Sequence, residues 1–222
     1  MFKKENIKAV LFDMDGTLTN TEPLGIEVMK TCLGEIGVQI SEEEWVLFDK
    51  VWRRDGTEMT TEEFIHQILG SYASNTNEEE FTKSFYDSYE GAIIRASLLP
   101  GAKELLGKLK GKYLTALVTA SNQSQTQKVL KEHDWQDAFT AVVTQDEYKT
   151  KKPDPASFLM AANRLGVSPE SCVVIEDSKN GSRAGKNAGM YVIGVRAGNE
   201  HPQDLSAADM IVETLIELHE KF

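Results

Sequence analysis

With 222 residues, 41% of them apolar, and a formal net charge of −11, the sequence has enough apolar material for a buried core and an acid excess that disfavours nucleic-acid and other polyanionic partners. Its longest apolar runs are too short to cross a bilayer, and the opening MFKKENIKAVLFD has no signal-peptide apolar stretch, so a cytoplasmic protein with no membrane partner is expected. The charge is unevenly placed: residues 19 to 95 hold 16 Asp/Glu against 6 Lys/Arg, a net −10, while the remainder is close to neutral.

The first element is AVLF (9–12), an unbroken apolar run of the kind found in strands covered on both faces, and it runs into two carboxylates, Asp13 and Asp15. Residues 20 to about 95 read as helix only. LGIEVMKTCLGEIG (24–37) has helical spacing, and SEEE (41–44), TTEE (60–63) and NEEE (77–80) each set a capping side chain three residues before a Glu, ahead of a helical apolar pattern. Four helices and no strand are predicted there. From residue 97 the apolar runs YLTALVT (113–119), AFTAVVT (138–144), CVVIED (172–177) and MYVIGV (190–195) alternate with the helical patterns QSQTQKVLKEH, PASFLMAANRLG and KNGSRAGKNAG. Asp154 supplies an N-cap and Pro155 the first helical position.

This alternation predicts an α/β fold, a Rossmann-like parallel sheet with helices on both faces, formed by residues 1–19 and 96–222 and interrupted by an all-helical subdomain over 20–95. Cys32 and Cys172 sit among apolar neighbours and read as small core residues rather than a disulfide, and no Cys/His cluster has zinc-like spacing.

Ligands of such sheets bind beyond the carboxyl ends of the strands. Asp13 and Asp15 follow the first strand, Thr119 ends LTALVT, Glu176 and Asp177 end CVVIED, and Lys152 follows AFTAVVT by a short loop. Four carboxylates brought together repel unless a cation lies among them, and oxygen-only ligands suit Mg²⁺. The lysine and the strand-end hydroxyl are then donors to a phosphoryl group. Residues i and i+2 of a strand project to the same side, so a turn at Gly16 lets Asp15 approach whatever Asp13 binds. Asp13 is then placed to attack phosphorus and form an aspartyl-phosphate, and Asp15 to protonate the leaving oxygen and later deprotonate water. Taken singly, each feature has a plainer reading: Asp-x-Asp-Gly is a common turn, Glu176-Asp177 a strand exit with a helix cap, and Lys-Pro a loop. Their joint order carries the site.

In that order the residues resemble the haloacid dehalogenase superfamily of phosphohydrolases, in the branch that holds β-phosphoglucomutase and phosphoglycolate phosphatase, along nearly the whole chain. FDMDGTLTNTEP is similar to the first motif of that family, which implies Asp13 as nucleophile, Asp15 as acid/base and Gly16 in the phosphate-binding turn. LVTASN is similar to the second, implying phosphate contacts from Thr119, the Ala120 backbone and Ser121; KKPDP is similar to the third, with Lys152 as the phosphate-neutralising lysine. VVIEDSKNG is similar to the fourth, implying that Asp177 and Glu176 hold Mg²⁺ together with Asp13 and the main-chain carbonyl of Asp15.

The resemblance also implies that the helical insert is a cap that closes over the site and selects the substrate. Arg53 and Arg54, the adjacent basic pair beside Trp52, are candidates to reach substrate; the alternative is a solvated helix end. The mutase carries a histidine in the hinge where this sequence has Gly25, which favours water as the final acceptor. Asp15 argues against dehalogenation, because a halide leaves without a proton. The expectation is therefore a Mg²⁺-dependent phosphatase acting on a small phosphorylated metabolite, a sugar phosphate or a phosphoglycolate-like acid. A monomer is expected, with a dimer left open. The alternatives are a phosphosugar mutase and a non-catalytic protein that binds phosphorylated metabolites.

Overall fold

The computed structural model describes residues 4–21, 23–52, 60–197 and 203–222. The chain divides into two compact units, one of residues 1–22 and 96–222 and one of residues 23–95. In the first, β1 (Ala9–Phe12), β2 (Leu114–Val118), β3 (Ala141–Val143), β4 (Cys172–Glu176), β5 (Tyr191–Val195) and β6 (Met210–Val212) form one sheet in the order β3-β2-β1-β4-β5-β6. Every pairing is parallel. The order reverses at β1, and there Phe12 stands opposite Leu117 on one side and Ile175 on the other. The carboxyl ends of β1, β2 and β4 are thereby level, which is where this topology opens a crevice.

The second unit comprises α1 (Leu24–Glu35), α2 (Glu42–Trp52), α3 (Thr61–Tyr72) and α4 (Glu78–Ile94). The capping signals act as read. The Ser41 hydroxyl accepts from the Glu44 N–H while Glu44 accepts from the Ser41 N–H, Thr60 and Glu63 form the same reciprocal box, and Asn77 accepts from the Glu79 and Glu80 N–H groups. The clustered glutamates lie in first turns, where the helix dipole favours negative charge. Met29, Trp45, Phe64, Ile68 and Phe85 bury their side chains in the unit's own core, with Cys32 among them.

Around the sheet lie α5 (Ala102–Leu109), α6 (Gln123–Glu132), α7 (Ala156–Leu165) and α8 (Lys179–Asn187). All four residues of β1 are fully buried, as a central parallel strand requires. Leu11, Val118 and Val174 share a core with Phe158 of α7 and Ala184 of α8. On the opposite face Phe12 meets Phe139 edge-on at 6.3 Å, and Phe139 meets Trp135. A Cβ on Gly185 would stand 2.7 Å from Val192 Cγ2, so α8 owes its close approach to β4 and β5 to small residues. Both cysteines are buried and free.

Two elements and two boundaries differ from expectation. α5 and β6 were not singled out beforehand. α7 starts one residue later than predicted: Pro155 takes the N-cap position, and the Asp154 carboxylate accepts from the Ala156 N–H at 2.9 Å. The helical unit starts at residue 23 rather than 20. Its connectors belong to the sheet unit because the Asn20 N–H donates to Ser97 O at 2.8 Å, Thr19 bridges Leu98 in antiparallel fashion, and the Leu99 N–H donates to Leu18 O at 2.9 Å.

Candidate active site

Asp13 follows β1, and its N–H continues the ladder to Ile175 O at 3.0 Å, so its position is set by the middle of the sheet. Lys152, on the loop between β3 and α7, reaches the same point. Its Nζ donates to Asp13 Oδ1 at 2.5 Å, to Glu176 Oε1 at 2.7 Å and to Val118 O at 3.3 Å, and lies 4.9 Å above the centre of the Phe158 ring. The Lys152 and Asp13 side chains are each 10% exposed and that of Glu176 is 1% exposed, so these charges are held away from water. Burial works against the Lys152 charge, but the Asp13 and Glu176 carboxylates more than offset it and hold the ammonium above its ordinary range. Burial likewise raises the Asp13 carboxyl above its ordinary 3.8; Lys152 opposes that shift and Glu176 adds to it.

Asp15 is half-buried beside the carboxyl end of β2. Its Oδ2 accepts from the Ser121 hydroxyl at 2.9 Å and, at 3.4 Å, from that of Thr119, while Oδ1 is buried with no partner. Burial raises its pKa against the opposing hydrogen bonds of Ser121, Thr119 and Thr21 and the charge of Lys152. A carboxyl anchored by one oxygen, with the other unengaged, is equipped to exchange a proton.

The fourth strand supplies the remaining two carboxylates. Asp177 Oδ1 accepts from the buried Thr17 hydroxyl at 2.7 Å. Gly16 has φ +80, and a Cβ there would lie 2.3 Å from Asp177 Oδ2, so the Asp177 carboxylate packs directly on the Asp15–Gly16 backbone. Glu176 is turned elsewhere. Its Oε1 accepts from Lys152, and its Oε2 accepts at 2.8 Å from both the N–H and the hydroxyl of Ser178, the N-cap of α8. A Cβ on Gly181 would fall 1.6 Å from Glu176 Oε1, so the first turn of α8 is a seat for that carboxylate.

Asp13, Asp177 and the main-chain carbonyl of Asp15 are hard oxygen donors that fit Mg²⁺. Among the described residues no three His, Cys, Asp or Glu side chains are drawn into one ready cation cluster; Lys152 engages both Asp13 and Glu176, and Ser178 engages Glu176 as well.

The structure thus brings Asp13, Asp15, Gly16, Thr119, Ser121, Lys152, Glu176 and Asp177 to one edge of the sheet, with Ala120 exposed at the rim. Arg53 and Arg54 lie outside the described residues. Thr17, Ser178, Gly181 and Phe158 were given no role in the sequence reading. Ser178, three residues before Gly181 at a helix start, carried an N-cap signal; Phe158 carried none beyond its place in an apolar helix face.

A profile of the haloacid dehalogenase-like hydrolases matches residues 7–189. The chain belongs to that hydrolase family. It is 31% identical over 217 residues to a bifunctional riboflavin kinase/FMN phosphatase of Arabidopsis thaliana, covering 97% of this chain and 55% of that protein, so it spans about half of that relative's length. It is 33% identical over 186 residues to a phosphorylated carbohydrates phosphatase of Thermotoga maritima, covering 83% of this chain and 82% of that one. A crystal structure of a Thermotoga maritima protein provisionally called a β-phosphoglucomutase superposes with a TM-score of 0.82 at 30% identity, over 97% of this chain and all of that one. Family members generally use Mg²⁺. No helix among the described residues of this haloacid dehalogenase-like hydrolase is long and apolar enough to cross a membrane.

Proposed function

We propose that the protein is a Mg²⁺-dependent phosphatase that hydrolyses a small phosphorylated metabolite, most simply a sugar phosphate, through an aspartyl-phosphate on Asp13. The observation that carries this reading is the ammonium of Lys152 held against the buried Asp13 carboxylate, with Asp15 anchored alongside by Ser121. A phosphoryl group arriving at this edge meets a cation, a hydroxyl from Thr119 and the backbone N–H of Ala120, which are the charge partners its oxygens need.

The Asp13 carboxylate attacks phosphorus, and the P–O bond to the substrate breaks as Asp15 gives its proton to the departing oxygen. Water then attacks the phosphorus of the aspartyl-phosphate, Asp15 takes its proton, and Asp13 is released with inorganic phosphate. Throughout, Lys152 offsets the charge of nucleophile and phosphate. Asp13, Asp177 and the Asp15 carbonyl would hold Mg²⁺, with Glu176 beside them. When bound, the ion supplies charge neutralisation that lets an anionic nucleophile approach an anionic ester. The reading includes a monomeric cytoplasmic enzyme and takes the helical unit as its cap.

The test is phosphate release from a panel of phosphorylated sugars, short acids and nucleotides, with and without Mg²⁺, and with Asp13→Asn as the blank. Magnesium-dependent release from one class, down by at least about a thousandfold in the variant, is expected. Near-normal turnover by Asp13→Asn would refute the mechanism. The likeness to the provisional β-phosphoglucomutase supports a second reading, phosphoryl transfer between two hydroxyls of one sugar. Interconversion of β-glucose 1-phosphate and glucose 6-phosphate on priming with a bisphosphate, without comparable phosphate release, would replace the first reading by the second.

A further inference from the structure

We propose that Tyr148 is a positioning residue that aims the Ala120 N–H at the phosphate by gripping the far end of the same peptide plane. The proposal rests on the phosphate-binding reading of the site given above.

A trans peptide is rigid and planar, and its C=O and N–H point in opposite directions. The plane joining Thr119 to Ala120 lies where β2 leaves the sheet: Thr119 is fully buried, and its N–H still donates to Val143 O at 3.0 Å, whereas Ala120 is exposed. The Tyr148 hydroxyl, itself buried, donates to Thr119 O at 2.9 Å. The N–H of Ala120 must then point away from Tyr148. It meets no acceptor among the described residues, while its neighbour, the Ser121 N–H, is taken by Thr119 Oγ1 at 2.9 Å.

The phenol is well placed to hold this plane. Tyr148 is only 8% exposed and packs in the core shared by the central strands and α7. The turn before it is clamped, with Glu147 accepting from the Thr144 N–H and pairing with Arg164, which also donates to Val142 O. Burial raises the phenol's pKa, so it remains a donor. Two further bonds join the same loops, Gln145 N–H to Ser121 O at 3.0 Å and Gln123 N–H to Asp146 Oδ2 at 2.6 Å. Neither of them touches the Thr119–Ala120 peptide. If Tyr148 only filled the core, its ring would matter and its hydroxyl would not.

The experiment follows the Ala120 amide by ¹H–¹⁵N NMR during titration with inorganic phosphate at saturating Mg²⁺, in the wild type, Tyr148→Phe and Asp146→Ala. The phenylalanine keeps the ring; the alanine breaks one loop-to-loop bond and leaves the Thr119 carbonyl alone. The expected result is a downfield shift of the Ala120 amide proton in the wild type, cut by at least about half in Tyr148→Phe and close to wild type in Asp146→Ala, with turnover of Tyr148→Phe down about tenfold. An Ala120 amide indifferent to phosphate in the wild type, an equal shift in Tyr148→Phe, or an equal loss in Asp146→Ala would each overturn the proposal. The amide is read without turnover, so failure of the phosphatase reading would show separately, as activity that survives Asp13→Asn.

Discussion

Glu176 and Gly181 face each other so closely that a methyl group on the glycine would fall 1.6 Å from the carboxylate oxygen that accepts from Lys152. In an exposed helix, Gly→Ala gains up to about 1 kcal/mol. Here the new Cβ must evict Glu176 from both Lys152 and Ser178. Gly181→Ala should therefore lose turnover of p-nitrophenyl phosphate by at least about tenfold with no gain in thermal midpoint. Full activity with a raised midpoint would show that the seat of Glu176 is dispensable.

Lys152 is the cation that lets two buried carboxylates share one corner. Lys152→Met leaves Asp13 and Glu176 without it, and breaking a buried charge network by removing one partner costs about 3–5 kcal/mol. Urea unfolding should show a loss of that order, with turnover down about a thousandfold or more. An unchanged urea midpoint would contradict this account of the site's electrostatics.

In the proposed mechanism Asp15 is the acid, and its weight there is set by how badly the leaving group needs a proton. Asp15→Ala should depress hydrolysis of an alkyl phosphate by about 10²–10⁴-fold. The loss on p-nitrophenyl phosphate should be much smaller, since nitrophenolate leaves unaided. Equal losses on both substrates would assign Asp15 another task.

His133, at the end of α6, has its ring 5.2 Å from that of Trp135 and its Nε2 buried without a partner. Burial lowers its pKa below the ordinary 6.5, with Glu132 pulling the other way. As pH falls through that ordinary value the unfolded chain takes up the proton before the folded one, so stability declines with acidification from this group. Between pH 7.5 and 5.5 the urea midpoint of His133→Phe should therefore fall less than that of the wild type. Parallel declines would remove His133 from the acid sensitivity of the fold.

Much of the scaffold could be read from local chemistry. AVLF ending on Asp13 is both a buried parallel strand and a site marker, and Ser41, Thr60 and Asn77 announced three helix starts by side chains that cap within three residues. What escaped was long in sequence range or weak in pattern. β6 is three residues long at the sheet edge with Ile211 exposed, too brief for a period to develop. α5 did show the pattern, with Ala102, Leu105, Leu106 and Leu109 buried on one face, but it is short. The Tyr148 bond to Thr119 spans 29 positions, and nothing in either neighbourhood signals it. The engagement of Glu176 depends on Lys152, 24 positions away, and on Ser178 next door, of which only the second had a local sign.

The paired connectors at Thr19–Leu98 and Asn20–Ser97 make the two ends of the helical segment neighbours, as in the stem of a hairpin. Everything between them is therefore a cassette. Closing a stem whose ends already meet costs little more for a long loop than for a short one, because the entropy of closure grows only with the logarithm of length. A two-residue turn joining Thr21 to Ala96 would close the stem on an intact six-stranded sheet, and a different helical bundle could be grafted there with Asp13, Lys152 and Asp177 left in place. Because the stem is held entirely by residues of the sheet unit, the segment it carries can be shortened or replaced without re-threading any strand.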